Sequence, residues 1–155
     1  MGSGKTTIAN MLAKKLNLEV IEMDQLILKK SGRNSISEIF SLDGEKHFRM
    51  IEKQVCLDLK DKDSLIISTG GGVIVNEINM VNLKNNGKVI YLKASFTTVS
   101  KRLKNFKNRP LFKDLKEAKK LFDLREKLYK KFADIIIITD DKNIDEIVSC
   151  LLNLL

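Results

Sequence analysis

Apolar positions along the chain follow two spacings, one typical of helices and one typical of short buried strands. Ile8, Met11, Leu12 and Leu16 recur every three or four residues, as on one face of a helix. Short apolar runs such as Leu65-Ile-Ile lie between segments of this kind. The pattern predicts strands at 18–22, 64–68, 88–92 and 134–138, and helices at 5–16, 24–31, 35–41, 44–60, 76–84, 95–104, 115–131 and 143–154.

The alternation of strands and helices predicts the fold class. Short β-branched runs between amphipathic helices indicate an α/β fold, with a parallel sheet covered by helices on both faces. With 155 residues, 43% of them hydrophobic, residues 1–155 have the size of a single domain. Helical material at 24–60 and a basic loop at about 104–115 interrupt the alternation. Insertions at the carboxyl ends of strands are where α/β proteins keep their substrate contacts.

The first residues of the chain form most of a phosphate-binding loop. Gly2-Ser-Gly-Lys-Thr6 precedes the first predicted helix, and a short strand follows that helix. Glycines allow backbone angles at which consecutive N–H groups turn inward around phosphate oxygens. A lysine then supplies a point charge for the β and γ phosphates, and a threonine hydroxyl is an oxygen ligand that Mg²⁺ accepts. A flexible glycine-serine terminus is the alternative interpretation.

The front of this motif is missing. The first glycine of the full pattern would fall before Met1, as would the strand that normally holds the loop. We therefore expect the natural polypeptide to begin about ten residues upstream, the usual room for a strand and a loop start. A stop codon directly before Met1 in the upstream reading frame would contradict this expectation.

Charge and composition limit the partners. The formal net charge is +8, and the segment 101–113 holds six basic residues and no acidic one. Elsewhere lysines alternate with acids, as on solvated helix faces. The sequence contains no helix-turn-helix, zinc-finger or RNP-like segment, and no apolar run of the roughly 18 residues of a membrane span. We expect small-molecule substrates, no nucleic acid or membrane partner, a monomer and a cytoplasmic location, with Cys56 and Cys150 as buried free thiols.

Two polar segments are candidates for chemistry, each with a structural alternative. Asp24 follows the strand after the first helix and can contact an acceptor hydroxyl, simply cap the next helix at 25–31, or do both. Arg49 can bind a substrate, or it can form a surface ion pair with Glu45, one helical turn away and worth well under about 1 kcal/mol.

The third candidate segment is a run of three glycines, Gly70, Gly71 and Gly72, after the strand at 64–68. Three glycines suggest that a ligand approaches the backbone closely. A plain strand-to-helix turn, which needs at least one glycine, is the alternative.

Arg125 projects from a mainly apolar helix face without an acidic partner in its own helix. Its neighbours three and four positions away include Leu121, Phe122, Leu128 and Tyr129. Such a guanidinium needs an anion, supplied either by another part of the fold or by a bound substrate. A planar guanidinium suits a carboxylate, because two parallel hydrogen bonds form at once.

Taken together, these segments resemble the shikimate kinase family of P-loop small-molecule kinases. They run in family order across nearly the whole chain. The matching elements are Gly2-Ser-Gly-Lys-Thr6, Met23-Asp24 with Ile27, Gly32-Arg33 with Ile36 and Glu38-Ile-Phe40, Gly44-Glu45 with Phe48-Arg49 and Glu52, Gly70-Gly-Gly72, Arg109-Pro-Leu111, and Arg125 with Leu128-Tyr129.

The resemblance implies a P-loop kinase-like three-layer sandwich that lacks its first, central strand. It also implies phosphorylation of the shikimate 3-hydroxyl by Mg-ATP, a step toward aromatic amino acids. The segment 24–60 would then bind substrate, and 104–115 would form a lid. The family usually has Asp-x-Asp where this chain has Glu22-x-Asp24, and we expect Glu22 to contact Mg²⁺ through water.

The resemblance also assigns roles to single residues. Lys5 would contact the transferring phosphoryl group, Thr6 the Mg²⁺ ion, and Asp24 the acceptor hydroxyl. The lid residue Arg109 would reach ATP, and the Asp140–Asn143 segment would lie near the adenine. The remaining ATP-binding residues would be Gly2, Ser3, Gly4 and Thr7, and the remaining substrate-binding residues Arg49, Gly70, Gly71, Gly72 and Arg125. Another small-molecule or nucleoside monophosphate kinase and an inactive anion-binding homologue are the alternatives.

Overall fold

The computed structural model describes residues 3–103 and 115–155. Within those ranges, strands and helices alternate as the hydrophobic pattern predicts, with bounds that differ from the predicted ones by a few residues. The strands are β1 (Glu19–Glu22), β2 (Leu65–Ser68), β3 (Ile90–Lys93) and β4 (Ile135–Ile138). The helices are α1 (Lys5–Leu16), α2 (Met23–Ser31), α3 (Ile36–Glu38), α4 (Gly44–Asp58), α5 (Glu77–Lys84), α6 (Phe96–Leu103), α7 (Leu115–Phe132) and α8 (Ile144–Leu152).

The strands pair in parallel, which confirms the predicted α/β class. β1 pairs with β2, so that Glu22 lies opposite Ser68 at the carboxyl ends of the two strands. β3 pairs with β4, and Lys93 lies opposite Ile138 in the same way. Because carboxyl ends of parallel strands meet at one edge, the residues after β1 and after β2 are neighbours.

The described residues divide into two compact units. One contains Ala9–Gly87, and the other contains the described residues up to Ile8 and those from Lys88 to Leu155. The predicted single domain is not tested by this division. Within the part of the chain that the structure describes, no helix is long and apolar enough to cross a membrane.

Helices α2 and α4 pack against each other in the core of the Ala9–Gly87 unit. Met23 and Ile27, one turn apart on α2, are both buried, and so are Val55 and Cys56 on α4. Cys56 is a buried free thiol, as predicted, and burial raises its pKa to about 12, whereas Cys150 is free but only half-buried. Burial of this apolar stripe contributes about 1.5–3 kcal/mol per large side chain, which fixes the face that α4 turns inward.

The segment between α2 and α4 departs from the predicted helix at 35–41. α3 has only three residues and continues into a π-helical turn, Ile39–Asp43. Gly32 ends α2 with a φ of 68°, and Gly44 follows the π turn with a φ of 83°, both in the left-handed region that favours glycine. Between them, the guanidinium of Arg33 donates two hydrogen bonds to Asp43, at 2.9 and 2.7 Å. The π-helical turn and the Arg33–Asp43 contact therefore close a short loop before α4.

In the other unit, polar side chains fix the ends of helices α6 and α8. Asn143 and Glu146 form a capping box at the start of α8. Ser95 accepts from the Thr98 N–H at the start of α6. The carboxylate of Asp140, just after β4, accepts hydrogen bonds from the Ser95 N–H at 2.9 Å and the Ser95 hydroxyl at 2.9 Å, and also from the Thr98 hydroxyl. Asp140 thereby connects the end of β4 to the start of α6.

This network predicts an acid-sensitive contribution of Asp140 to stability. The hydrogen bonds from Thr98, and then from Ser95, hold the pKa of Asp140 below its ordinary value. The contribution is therefore present at neutral pH and is lost as pH falls through the folded-state pKa. We expect Asp140→Asn to lower the free energy of unfolding by about 1–2 kcal/mol at pH 7, and by progressively less as the pH falls through the folded-state pKa. Urea unfolding at pH 7 and over a series of acidic pH values measures the difference.

Asp141→Asn is the matched control for this measurement. Asp141 has a φ of 58°, an angle that asparagine tolerates well. Its substitution by asparagine makes the same change of charge as Asp140→Asn, one residue further along the chain. An equal loss in both variants, or a loss for Asp140→Asn that does not depend on pH, would contradict the assigned network.

Candidate active site

The described part of the phosphate-binding loop has the geometry that its sequence predicts. Gly4 has a φ of 79°, and its carbonyl accepts the Ile8 N–H at 3.0 Å, which starts α1. A Cβ at Gly4 would meet nothing closer than 3.7 Å, so glycine is needed here for its backbone angles and not for space. The first turn of α1 holds no acidic residue, which leaves its N-terminal dipole available to an anion. Ser3 is buried, Lys5 is half-buried, and Thr6 and Thr7 are exposed.

Glu22 and Asp24 lie where β1 passes directly into α2. Glu22 occupies the N-cap position without a side-chain capping bond, and Asp24 lies inside the first helical turn with an exposed side chain. The alternative in which Asp24 caps this helix is therefore wrong. Glu22 Oε1 is buried and has no hydrogen-bond partner within the described ranges. An acceptor oxygen of this kind fits a donor that the protein itself does not supply, such as a metal-bound water.

The three-glycine segment brings Asp24 and Arg49 to the same loop. A Cβ at Gly70 would lie 3.0 Å from Asp24 Oδ1, and a Cβ at Gly72 would lie 2.8 Å from Nη1 and 2.9 Å from Nη2 of Arg49. Neither glycine has a positive φ, so a plain turn does not require them. Glycine at both positions leaves room for the side chains of Asp24 and Arg49, which lie directly against the backbone. The sequence predicted a close approach, and the approaching groups are two of the predicted site residues.

Arg49 is held on two sides by carboxylates of its own helix. Nη1 donates to Glu52 Oε2 at 2.8 Å, while Nε and Nη2 both donate to Glu45 Oε1, at 3.2 and 3.1 Å. Burial of the guanidinium lowers the Arg49 pKa, but the hydrogen bonds and charges of Glu52 and Glu45 outweigh burial and raise the pKa above its ordinary value. The predicted ion pair with Glu45 exists, and a second, buried ion pair with Glu52 accompanies it.

Glu52 is a site residue to which sequence reasoning gave no role. Its position three residues after Arg49 places it on the same helix face, which is the signal that identifies it. Its side chain is only 2% exposed. A buried carboxylate needs a fixed positive partner, so Glu52 and Arg49 stabilise each other's position.

Arg125 lies on α7, in the unit that contains β3 and β4. Its Nε is buried and has no hydrogen-bond partner among the residues that the structure describes. Tyr129, one turn further along, stacks on Tyr91 with ring centroids 4.9 Å apart. The expectation that this arginine lacks an acidic partner in its own helix is confirmed for Nε. A buried guanidinium N–H without a hydrogen-bond partner is suited to bind an anion.

Several predicted residues remain outside this description. Gly2, Arg109 and positions 104–114 of the predicted lid are outside the described ranges. Within residues 3–103 and 115–155, no group of three or more His, Cys, Asp or Glu side chains is placed to hold a metal ion. In the predicted adenine segment, Asp140 and Asn143 have structural partners, as described above, and the adenine contact stays a prediction.

A comparison with protein families identifies the whole chain, residues 1–155, as matching the shikimate kinase family model. The chain is 41% identical over 145 residues to the shikimate kinase of Hahella chejuensis, covering 92% of this chain and 75% of that protein. It is also 41% identical over 149 residues to the shikimate kinase of a Sulfurihydrogenibium species, covering 96% and 89% of the two chains.

Solved structures agree with the family match. The shikimate kinase of Acinetobacter baumannii in complex with shikimate superposes with a TM-score of 0.91 at 33% identity, covering 99% of this chain and 87% of that chain. The shikimate kinase of Aquifex aeolicus superposes with a TM-score of 0.83 at 35% identity, covering 99% and 90%. These matches confirm the fold that the resemblance implied.

The buried Nε of Arg125 predicts an unusual effect on stability. Arg125→Met keeps the apolar stem and removes an N–H that has no partner, so we expect the free energy of unfolding without ligands to stay equal or to rise by up to about 1 kcal/mol. Arg33→Met, the same substitution at an arginine paired with Asp43, should lower it. Urea unfolding of both variants compares the two arginines. A clear loss for Arg125→Met would mean that the arginine has a structural partner.

Proposed function

The chain belongs to the shikimate kinase family, and on that basis we propose that it transfers the γ-phosphoryl group of ATP to the 3-hydroxyl of shikimate. The observation that carries the proposal beyond family membership is the loop at Gly70–Gly72. Two of its glycines leave room for Asp24 and Arg49, so a carboxylate and a guanidinium lie against one backbone segment. A small acid with hydroxyl groups matches both.

The nucleotide end of the proposed site is the phosphate-binding loop. We assign the ATP phosphates to Gly2, Ser3, Gly4, Lys5, Thr6 and Thr7, and a further ATP contact to Arg109. The positive φ of Gly4 and the acid-free first turn of α1 support this assignment. Lys5 then neutralises charge on the transferring group, which is the main help that a loose phosphoryl transition state needs.

Mg²⁺ is the ion that the family implies, and the donor set fits it. Thr6 offers a hydroxyl oxygen, and Glu22 offers a buried carboxylate oxygen without a described partner, able to accept from a metal-bound water. When bound, Mg²⁺ neutralises phosphate charge. Glu22 in place of the usual aspartate keeps the negative charge and extends its reach by one methylene group.

Asp24 is proposed to bind and orient the acceptor hydroxyl, and to take its proton as transfer proceeds. The side chain is exposed and lies over Gly70, so it can meet a ligand directly. Asp24 lies in the first turn of α2, where the helix dipole attracts negative charge. An ionised carboxylate is an acceptor only, and it therefore binds a hydroxyl in the orientation that points the oxygen lone pairs away from Asp24.

Arg49 and Arg125 are proposed to bind the substrate carboxylate, together with backbone contacts from Gly70, Gly71 and Gly72. The support comes from the surroundings of each arginine. Arg49 is held in one orientation by Glu52 and packs against Gly72, and Arg125 has a buried N–H without a partner. Fixed guanidinium groups lose little freedom when a carboxylate binds, and this preorganisation increases affinity.

We further propose a cytoplasmic monomer that acts on small molecules, with the helical region 24–60 as its substrate-binding part and residues 104–115 as a lid. In this account the lid excludes water when it closes over the nucleotide. Catalysis then rests on positioning and charge neutralisation, and positioning alone can supply about 7–11 kcal/mol of barrier reduction in well-oriented reactions.

Coupled ADP release with Mg-ATP tests the function directly. Shikimate, gluconate and nucleoside monophosphates are compared as acceptors. We expect turnover with shikimate alone. Turnover with a nucleoside monophosphate instead would favour a different kinase, and no shikimate-dependent turnover would remove the proposal in favour of an inactive homologue.

Arginine-to-lysine variants test the carboxylate contacts. Arg49→Lys and Arg125→Lys each replace a two-bond contact by a single one, so we expect the shikimate KM to rise about tenfold or more, with a smaller effect on kcat. Arg102→Lys, on the exposed part of α6, is the control and should leave KM unchanged. An unchanged KM in Arg49→Lys or Arg125→Lys would mean that this arginine has a structural role and does not bind the substrate carboxylate.

A charge-neutral variant tests the role of Asp24. Asp24→Asn keeps the shape of the side chain but cannot accept a proton in the same way, so we expect kcat to fall by about 10²-fold or more while the thermal midpoint stays close to that of the wild type. Asp58→Asn, at the far end of α4, is the matched control. Wild-type kcat in Asp24→Asn would exclude Asp24 from the reaction.

A further inference from the structure

The guanidinium of Arg49 is surrounded by other groups of the protein. Nη1 donates to the buried Glu52. The end that carries both Nη atoms faces Gly72, since a Cβ at that glycine would lie 2.8 Å from Nη1, 2.9 Å from Nη2 and 3.3 Å from Cζ. The ring of Phe48 lies over the group, with its centroid 5.1 Å from Cζ. The remaining edge, formed by Nε and Nη2, is held by Glu45.

The two carboxylates that hold Arg49 differ in how easily they can leave. The Glu52 side chain is 2% exposed, whereas that of Glu45 is 65% exposed. Moving Glu52 away would leave a buried charge without a partner, which is strongly unfavourable. Glu45 can instead turn into water, where its carboxylate is fully solvated, so it loses only a surface ion pair.

The geometry at the Glu45 edge is also less than a carboxylate can achieve. A single oxygen, Oε1, accepts from both Nε and Nη2, at 3.2 and 3.1 Å. A carboxylate that is free to align can place one oxygen on each N–H, and these two parallel bonds are shorter and stronger. A ligand carboxylate can therefore replace Glu45 at this edge with a gain in hydrogen bonding.

We propose that Glu45 is an internal competitor for the carboxylate site of Arg49, displaced when the substrate carboxylate binds. The proposal rests on the proposed function, in which Arg49 binds that carboxylate. Glu45 neutralises the free edge of Arg49 in the empty enzyme and is exchanged for the substrate. It thereby sets the affinity and makes the site selective for anions that can form both hydrogen bonds.

The expected size of the effect follows from the exposure of the pair. Exposed ion pairs are worth about 0.2–1 kcal/mol, so removing the competitor should strengthen substrate binding by about 1.5- to fivefold. The kcat should not change, because the substrate–enzyme complex is the same once Glu45 has left. A residue that merely positions Arg49 would give the opposite sign, a higher KM when it is removed.

The test is Glu45→Gln, with the shikimate KM and kcat from coupled ADP release and the shikimate Kd from calorimetry. We expect KM and Kd to fall by about 1.5- to fivefold at constant kcat. Glu19, at the start of β1, is also an exposed acid. Glu19→Gln makes the same change of net charge and should leave all three values unchanged. Shikimate methyl ester, which has no carboxylate to exchange, should bind the wild type and Glu45→Gln equally.

The outcomes separate this proposal from the proposed function. No shikimate turnover in the wild type contradicts the function itself. With an active wild type, a KM that is raised or unchanged in Glu45→Gln, or an equal gain for the methyl ester or for Glu19→Gln, overturns the competitor. If the Gln variant does not fold, Glu45→Ala, which also removes the carboxylate, is measured in its place with the same expected changes in KM, Kd and kcat.

Discussion

The candidate site depends on one physical constraint, the fixed orientation of the Arg49 guanidinium. A buried carboxylate, Glu52, binds it from one side, and a residue without a side chain, Gly72, faces it from another. Both contacts are needed. Glu52 could not stay buried without the cation of Arg49, and the guanidinium could not occupy its place if residue 72 carried a Cβ. The same loop presents Gly70 to Asp24, so one backbone segment determines the positions of both groups.

Polar groups in this chain fall into two classes by whether the protein satisfies them. Asp140 and the Arg33–Asp43 pair are hydrogen-bonded within the protein, at a helix start and in a loop. Glu22 Oε1 and Arg125 Nε are buried without a partner in the described ranges. Leaving such groups unsatisfied costs free energy, and a bound ligand or ion is one arrangement that satisfies them. Among the unsatisfied groups of the described ranges, Glu22 Oε1 and Arg125 Nε belong to residues that the family resemblance assigns to metal and substrate, whereas Asn79 Oδ1 and Ser100 Oγ have no assigned role.

Much of the fold follows from local patterns, which is why the sequence predicts it well. Apolar periodicity predicts the helices and strands within a few residues, and the glycine-lysine-threonine motif predicts a phosphate site. The π turn before α4 was not predictable in this way, and neither was the contact beside it between Arg33 and Asp43, ten residues apart in sequence. The role of Glu52 was missed for a related reason: a pattern places it on the face of Arg49, but only packing shows that it is buried and bound. The glycines at 70 and 72 indicated a close approach, and the identity of the approaching groups needed coordinates.

A crystal structure of the chain with shikimate and ADP would test the central claim most directly. The account predicts the shikimate carboxylate within hydrogen-bonding distance of Arg49 Nε and Nη2, with Glu52 still bound to Nη1 and the 3-hydroxyl beside Asp24. A bound shikimate whose carboxylate lies away from Arg49, or an Arg49 that has left Glu52 and Gly72 to reach it, would contradict the account.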